Sequence, residues 1–211
     1  MPIALGQRQV GQAAEVCVAA FFEGPYTKFL FPDPHERARY MHSRFHHMLS
    51  HAVLYGELYA TSEKLEGIMS LVPQPPARVS PWRRLRARGP RNLHYARPVR
   101  ERILVGSTYL TERHKHHMPG PHLVLETLAV QPQLQGKGFG GELLRYALAR
   151  ADAEQLPLYL DTFSPTSVEL YRHFGFGVIE KGQIRGMDSP VYLMQREPGS
   201  LEVCREKTDV K

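Results

Sequence analysis

Cysteine is nearly absent: Cys17 and Cys204 are the only two in 211 residues, one among apolar neighbours and one in a charged stretch. So few and so far apart, they argue against a disulfide framework or a thiolate metal centre and fit a reducing cytoplasm. Tryptophan is scarcer still, with Trp82 alone. No apolar run approaches the ~20 residues that a membrane-crossing helix needs. The first residues also lack the basic region, apolar stretch and small-residue cleavage site of a secretory signal, so no membrane partner is expected. What remains is ordinary. Hydrophobic content of 42% and charged content of 23% suit one α/β domain with a sizeable core.

Acid is the charge in short supply, with 21 Asp and Glu against 27 Lys and Arg, a net +6. Much of the excess lies between Arg78 and Arg102, where Arg83, Arg84, Arg86 and Arg88 surround Trp82. Such a patch could bind phosphates. A solvated insertion with Trp82 packed beneath it is the simpler reading, and no nucleic-acid partner is expected.

Hydrophobic spacing predicts a first helix through Val10, Ala13, Ala14, Cys17, Ala20 and Phe21. After a link over Glu23–Pro34, a second helix carries Met41, Phe45, Met48, Leu49 and Ala52, with Pro34 in its first turn. Leu58–Thr61 and Leu65–Val72 read as an antiparallel hairpin. A basic insertion or loop region follows over 78–121, with a helix-like portion at Val99–Leu110 and a loop at His114–His122. Then come strand Leu123–Val130, a helix to Ala153, strand Pro157–Thr162, helix Ser164–Phe174, and strands Gly177–Lys181 and Pro190–Gln195. A single domain over 1–196 with a polar, fraying tail at 197–211 is expected.

The chemistry concentrates in Gln135-Gly136-Lys137-Gly138-Phe139-Gly140-Gly141, between an apolar strand and a helix. Strand, glycine turn and helix start together present several backbone N–H groups and a positive dipole end to an anion. Gly136, Gly138 and Gly141 also satisfy G-x-G-x-x-G, and Asp161 lies twenty residues further on, as a ribose-binding acid would. Against a dinucleotide site, Gln131–Gln135 separates strand from turn, and little chain remains for further βαβ units.

Leu128-Ala129-Val130-Gln131-Pro132-x-x-Gln135-x-x-Gly138-x-Gly140 resembles motif A of the GNAT superfamily of acyl-CoA-dependent N-acetyltransferases. Leu170-Tyr171-Arg172-His173-Phe174-Gly175-Phe176 is similar to that family's second hallmark, Leu-Tyr-x-x-x-Gly-Phe closing a helix. The clear likeness spans Leu123 to Ile179. It implies a mixed α+β fold: a mostly antiparallel twisted sheet whose central parallel pair splays apart, with flanking helices. The implied cofactor is acetyl-CoA, its diphosphate on Gln135, Gly136, Lys137, Gly138, Gly140 and Gly141. Its pantetheine arm would bond the backbone of Leu128, Ala129 and Val130, where a bulge would turn N–H donors into the gap. One or two of the arginines between Arg78 and Arg102 could reach its 3′-phosphate.

Tyr171 occupies the family's general-acid position, and a phenol of pKa near 10 suits it; a core tyrosine is the plainer reading. Glu126 lies on the cofactor strand, two residues before Leu128 and so, by alternation, on the same face. An acid among Leu123, Val124, Leu125 and Leu128 is costly unless solvated or paired, and it could act as general base or only orient the amine. Ser164 stands where the family often has Asn bonding the cofactor arm; it also fits a helix cap before Pro165. Asp161 could line an acceptor pocket or serve the helix start. His114, His116, His117 and His122 match no firm zinc pattern and are expected exposed, with no metal site.

Pro121–Val130, Leu158–Pro165 and Phe29–Pro34 are similar to the branch containing puromycin N-acetyltransferase. Gly24-Pro25 and Asp161 depart from that branch's usual Asp-Pro and Glu. Phe21, Phe22, Tyr26, Phe29 and Phe31 could wall an acceptor pocket or simply pack the first helices. The implied activity is acetylation of a small-molecule primary amine, by a monomer or homodimer. A protein or peptide acceptor, or a non-catalytic CoA-binding regulator, are the alternatives.

Overall fold

The computed structural model describes residues 1–75 and 95–199. The arginine cluster around Trp82, the tail from 200 and Cys204 lie outside the described residues.

Strand β1 (Ile3–Ala4) precedes helix α1 (Val10–Phe21), which buries Val10, Ala13, Ala14, Val16 and Cys17. Within the expected link a short helix forms, α2 (Pro25–Leu30), with proline at its start. Helix α3 (Pro34–Tyr55) is capped by Asp33, whose Oδ1 accepts from His35 N at 2.6 Å and Glu36 N at 3.3 Å. Arg37, 4% exposed, donates to the carbonyls of Phe31 and Pro32, each at 3.1 Å, and so clamps the chain between α2 and α3. A methyl group on Gly56, which ends α3, would sit 2.2 Å from the Leu71 carbonyl oxygen, so only glycine fits.

Strands β2 (Glu57–Ala60) and β3 (Gly67–Gln74) form the expected hairpin. Helix α4 (Arg97–His117) is longer at both ends than the spacing predicts. It takes in three of the four histidines expected in a loop. Strand β4 (His122–Val130) leads through the glycine turn to α5 (Phe139–Glu154), then β5 (Leu158–Thr162), α6 (Pro165–His173), β6 (Gly177–Gly182) and β7 (Val191–Arg196).

These strands make one sheet in the order β1-β2-β3-β4-β5-β7-β6, antiparallel except between β4 and β5. The final strand thus inserts beside β5. One face packs on α5 and α6 through Leu123, Leu125, Leu144, Leu148, Leu158 and Leu160. The other carries α1 and α3 over β2–β3, and a smaller cluster of Met118, Val124, Tyr159, Ile184 and Leu193 near α4. Asp152 at the end of α5 grips the buried Arg196 of β7 through two bonds, at 2.7 and 3.0 Å. No helix among the described residues is long and apolar enough to cross a membrane.

Candidate active site

Parallel pairing between β4 and β5 has two rungs, Leu123↔Leu158 and Val124↔Tyr159. Beyond them both strands continue, β4 to Val130 and β5 to Thr162, without a mutual ladder. The sheet therefore opens into a cleft whose β4 edge, from Glu126 to Val130, keeps backbone groups available for an added strand-like ligand.

A bulge shapes this edge. Leu71 pairs with Leu125 but Ser70 pairs with Thr127, so Glu126 is the extra residue on β4. Leu125 and Leu128, three residues apart, consequently pack in the same core cluster. Strict alternation forbids that, and the inference that Glu126 shares a face with Leu128 does not hold. The bulge lies two residues earlier than the expected donors at Leu128 and Val130. Leu128 and Val130 are half-buried and Ala129 is buried, as core side chains are.

Counting two residues past the last rung on each parallel strand sets Glu126 opposite Asp161. Their charges interact across the opening. Poor solvation, then Asp161, pushes the Glu126 carboxyl up to about 7. Burial alone raises Asp161 to about 6. Glu126 is reachable by solvent yet sunk between walls. Tyr171 enters from α6, packed against the α5-side core and 5.6 Å from Phe176 between ring centroids. Burial, then Asp161, lifts its phenol well above 10. Glu126, Asp161 and Tyr171 thus converge, although they are far apart in the chain.

At the cleft's mouth the glycine turn has the geometry its composition implies. Gly136 takes φ 76° and Gly138 φ 91°, both left-handed. Gly138 is the N-cap of α5 and no side chain caps it. The first intrahelical bond is Glu142 N to Gly138 O at 2.9 Å, which leaves the preceding N–H groups free for an anion. Nothing lies within 4 Å of where a Cβ would stand on Gly136 or Gly138, so a ligand can approach the backbone there.

Arg145, one turn along, brings Nη1 to 3.4 Å from the corresponding point on Gly141 and has no ion pair among the described residues. Sequence reading missed it; the i+4 relation to Gly141 on a helix was the available signal. Lys137 is exposed. The Gln135 side chain donates to the Val130 carbonyl at 3.2 Å and so ties down the end of β4. Gly140 packs on Val130. These donors and cations fit a diphosphate. Ser164 is the N-cap of α6 ahead of Pro165, but its side chain makes no capping bond.

An aromatic wall closes the other side. Tyr26 of α2 stacks on Phe163 at 4.4 Å and 3° and lies 6.1 Å from Phe29. Its hydroxyl nests against Gly106 of α4, where a Cβ would stand 2.6 Å away. Phe21 instead stacks on Phe45 and Phe31 stacks on Tyr40, in the α1–α3 core, and the Phe22 ring lies under Arg37.

Of the four histidines expected to be exposed, His116 is, while the other three are half-buried or buried. His122 is buried, with Nδ1 2.7 Å from Gly120 O and Nε2 2.7 Å from His114 Nε2. His114 stacks on Tyr159 at 4.4 Å, and His117 pairs with Glu180 at 2.6 Å. The signal available was periodicity: His114 and His117 are three apart on one helix face.

Residues 57–176, more than half of the chain, match the model of the acetyltransferase (GNAT) family. Among solved structures the chain is similar to a Corynebacterium glutamicum protein described as histone acetyltransferase HPA2 and related acetyltransferase. That pair is 21% identical, covers 94% of this chain and 97% of the other, and has a TM-score of 0.61. A Drosophila melanogaster polyamine N-acetyltransferase gives 14% identity, 93% and 100% coverage, and 0.57. An agmatine N-acetyltransferase gives 14%, 93% and 98%, and 0.60. At such identities the likeness concerns the fold. With its splayed parallel pair and uncapped glycine turn, the chain belongs to the GNAT acetyltransferase family.

Proposed function

We propose that this chain transfers an acetyl group from acetyl-CoA to the primary amine of a small molecule, with both bound at once. The observation that carries the reading is the convergence of Glu126, Asp161 and Tyr171 where β4 and β5 part, one strand's length from the uncapped glycine turn. Acetyl-CoA supplies an activated thioester carbonyl and a thiol leaving group. The free N–H groups at Gly138–Gly141, with Arg145 beside them, hold its diphosphate, and the open edge of β4 aligns its arm.

Glu126, raised to about 7, accepts a proton from an ammonium at neutral pH and so yields the attacking amine. As the new C–N bond forms and the C–S bond breaks, Tyr171 delivers its hydroxyl proton to sulfur. Its phenol is a weak acid toward an ordinary thiolate, so the transfer accompanies bond cleavage instead of following it. Glu126 passes the first proton to water, the second amine proton restores the Tyr171 hydroxyl, and one proton is released per amide formed.

A small acceptor fits the enclosing wall of Tyr26, Phe29 and Phe163, and the two amine acetyltransferases of like fold act on small amines by name. Kinship with the puromycin N-acetyltransferase-like branch rests on the sequence likeness of 29–34, 121–130 and 158–165. Thiol release from acetyl-CoA, screened with amines, amino-sugar antibiotics and peptides, tests the reading. Small amines should stimulate it, and Tyr171→Phe should lower kcat by roughly 10²–10⁴-fold with CoA affinity little changed. Stimulation by peptides alone, or unchanged turnover in the variant, contradicts it.

A further inference from the structure

The cleft holds two acids and only one of them is needed as a base. Neither Glu126 nor Asp161 has a hydrogen bond or ion pair among the described residues. Arg44 of α3 acts on Tyr26, as Asp161 does, but hydrogen-bonds the Tyr95 phenol. Arg145 and Lys137 stand at the glycine turn, beside the cofactor's phosphates. Two carboxylates that act on each other across the opening without a counter-ion repel unless a ligand supplies the charge.

Two more features surround Asp161. Tyr159 precedes it by two residues on the same face of β5, is 1% exposed, and its hydroxyl has no hydrogen-bond partner. That hydroxyl lies in the field of Asp161, of Glu180 and of Tyr109. On the other side, Phe163 and Tyr26 form a parallel stack at 4.4 Å whose tyrosine also feels Asp161. Carboxylate, unsatisfied hydroxyl and aromatic faces are together the groups that hold an ammonium or guanidinium.

Resting on the acetyl-transfer reading, we infer that the acceptor is a dication: a primary amine that reacts at Glu126 and a second ammonium or guanidinium seated against Asp161, Tyr159 and the Tyr26–Phe163 stack. Charge bookkeeping favours this. When Glu126 has taken the proton of the reacting amine it is neutral, and the acceptor keeps one positive charge against the one negative charge of Asp161. A monocation would leave the half-buried Asp161 without a compensating charge at that moment.

The experiment compares 1,4-diaminobutane and agmatine with the chain-matched n-butylamine, both as ligands of the CoA-free protein by calorimetry and as acceptors by kcat/KM. Dications should bind at least about tenfold more tightly, close to the strength of one charge-assisted pair of ~1.5 kcal/mol or more. Asp161→Asn should shrink that ratio to within about threefold. The wild-type ratio tests the inference even if the variant folds poorly. Equal binding of butylamine and the dications, or a preference that survives in Asp161→Asn, overturns it. A dication preference in calorimetry with no thiol release by any amine supports the seat and counts against acetyl transfer.

Discussion

At the residue scale the proposed function assigns the base to Glu126. Its carboxyl, raised toward 7, must be ionised to accept a proton, so kcat/KM should climb with pH and level off above an apparent pKa near 7 shared with Asp161. Glu126→Gln should remove that ascending limb and lower kcat by roughly 10²–10⁴-fold. The same shift has a cost in stability: the folded state prefers the protonated acid, so ionisation destabilises it as pH rises from 4.5 through about 7. The variant should therefore gain stability above pH 7, measurable by urea denaturation; a loss there would mean that the carboxylate has a cationic partner. Glu126 and Tyr171 could be picked out in the sequence because an acid inside an apolar strand and a tyrosine in a family motif are local oddities. Asp161 could be noticed but not weighted, since its worth depends on which residue faces it across the opening.

Elements set the positions of these groups, and two glycines expose the dependence. Gly138 holds φ 91° at the start of α5, a conformation that costs a residue with a Cβ ~1–2 kcal/mol. Gly138→Ala should lower stability by about that much and weaken CoA binding several-fold, read by thermal melting and calorimetry. Gly106→Ala acts differently. Helix propensity gains up to ~1 kcal/mol, but the added methyl meets the Tyr26 hydroxyl at 2.6 Å and must push the ring aside. Stability should hardly change while KM for the amine rises; an unchanged KM would detach Tyr26 from the acceptor.

The glycine turn, α1, α3 and the β2–β3 hairpin were readable because each is specified by its own periodicity or turn chemistry. Three features were not. The bulge at Glu126 exists only against the register of β3. Helix α4 carries a sparse apolar pattern, burying only Val99 and Gly106, so its ends leave little trace in the sequence. The short α2 lies in a proline-rich link, where breakers mask a single turn.

Over the whole molecule, the sheet's order and its buried polar ties determine stability. That β7 inserts between β5 and β6 is a long-range choice that no local pattern records. The Asp152–Arg196 pair fixes α5 to β7; Asp152→Ala leaves a guanidinium buried and should cost ~3–5 kcal/mol. His114 and His122 tie α4 to β4. His122 Nδ1 donates to Gly120 O, and between the two Nε2 atoms one ring donates and the other accepts. Burial, then His122, lowers His114 to about 4. The folded state therefore binds fewer protons there, and this contribution is intact above pH 6.5 and is lost as pH falls toward 4. His114→Gln should flatten that part of the stability profile.

The proposed function rests on the free N–H groups of the turn from Gly136 to Gly141 holding the cofactor. Calorimetric titration of the wild-type protein with CoA, run beside a nicotinamide dinucleotide, tests them most directly. The account predicts one CoA bound per chain, weakened in Gly138→Ala, and no heat from the dinucleotide. Tight uptake of the dinucleotide without CoA binding would contradict it.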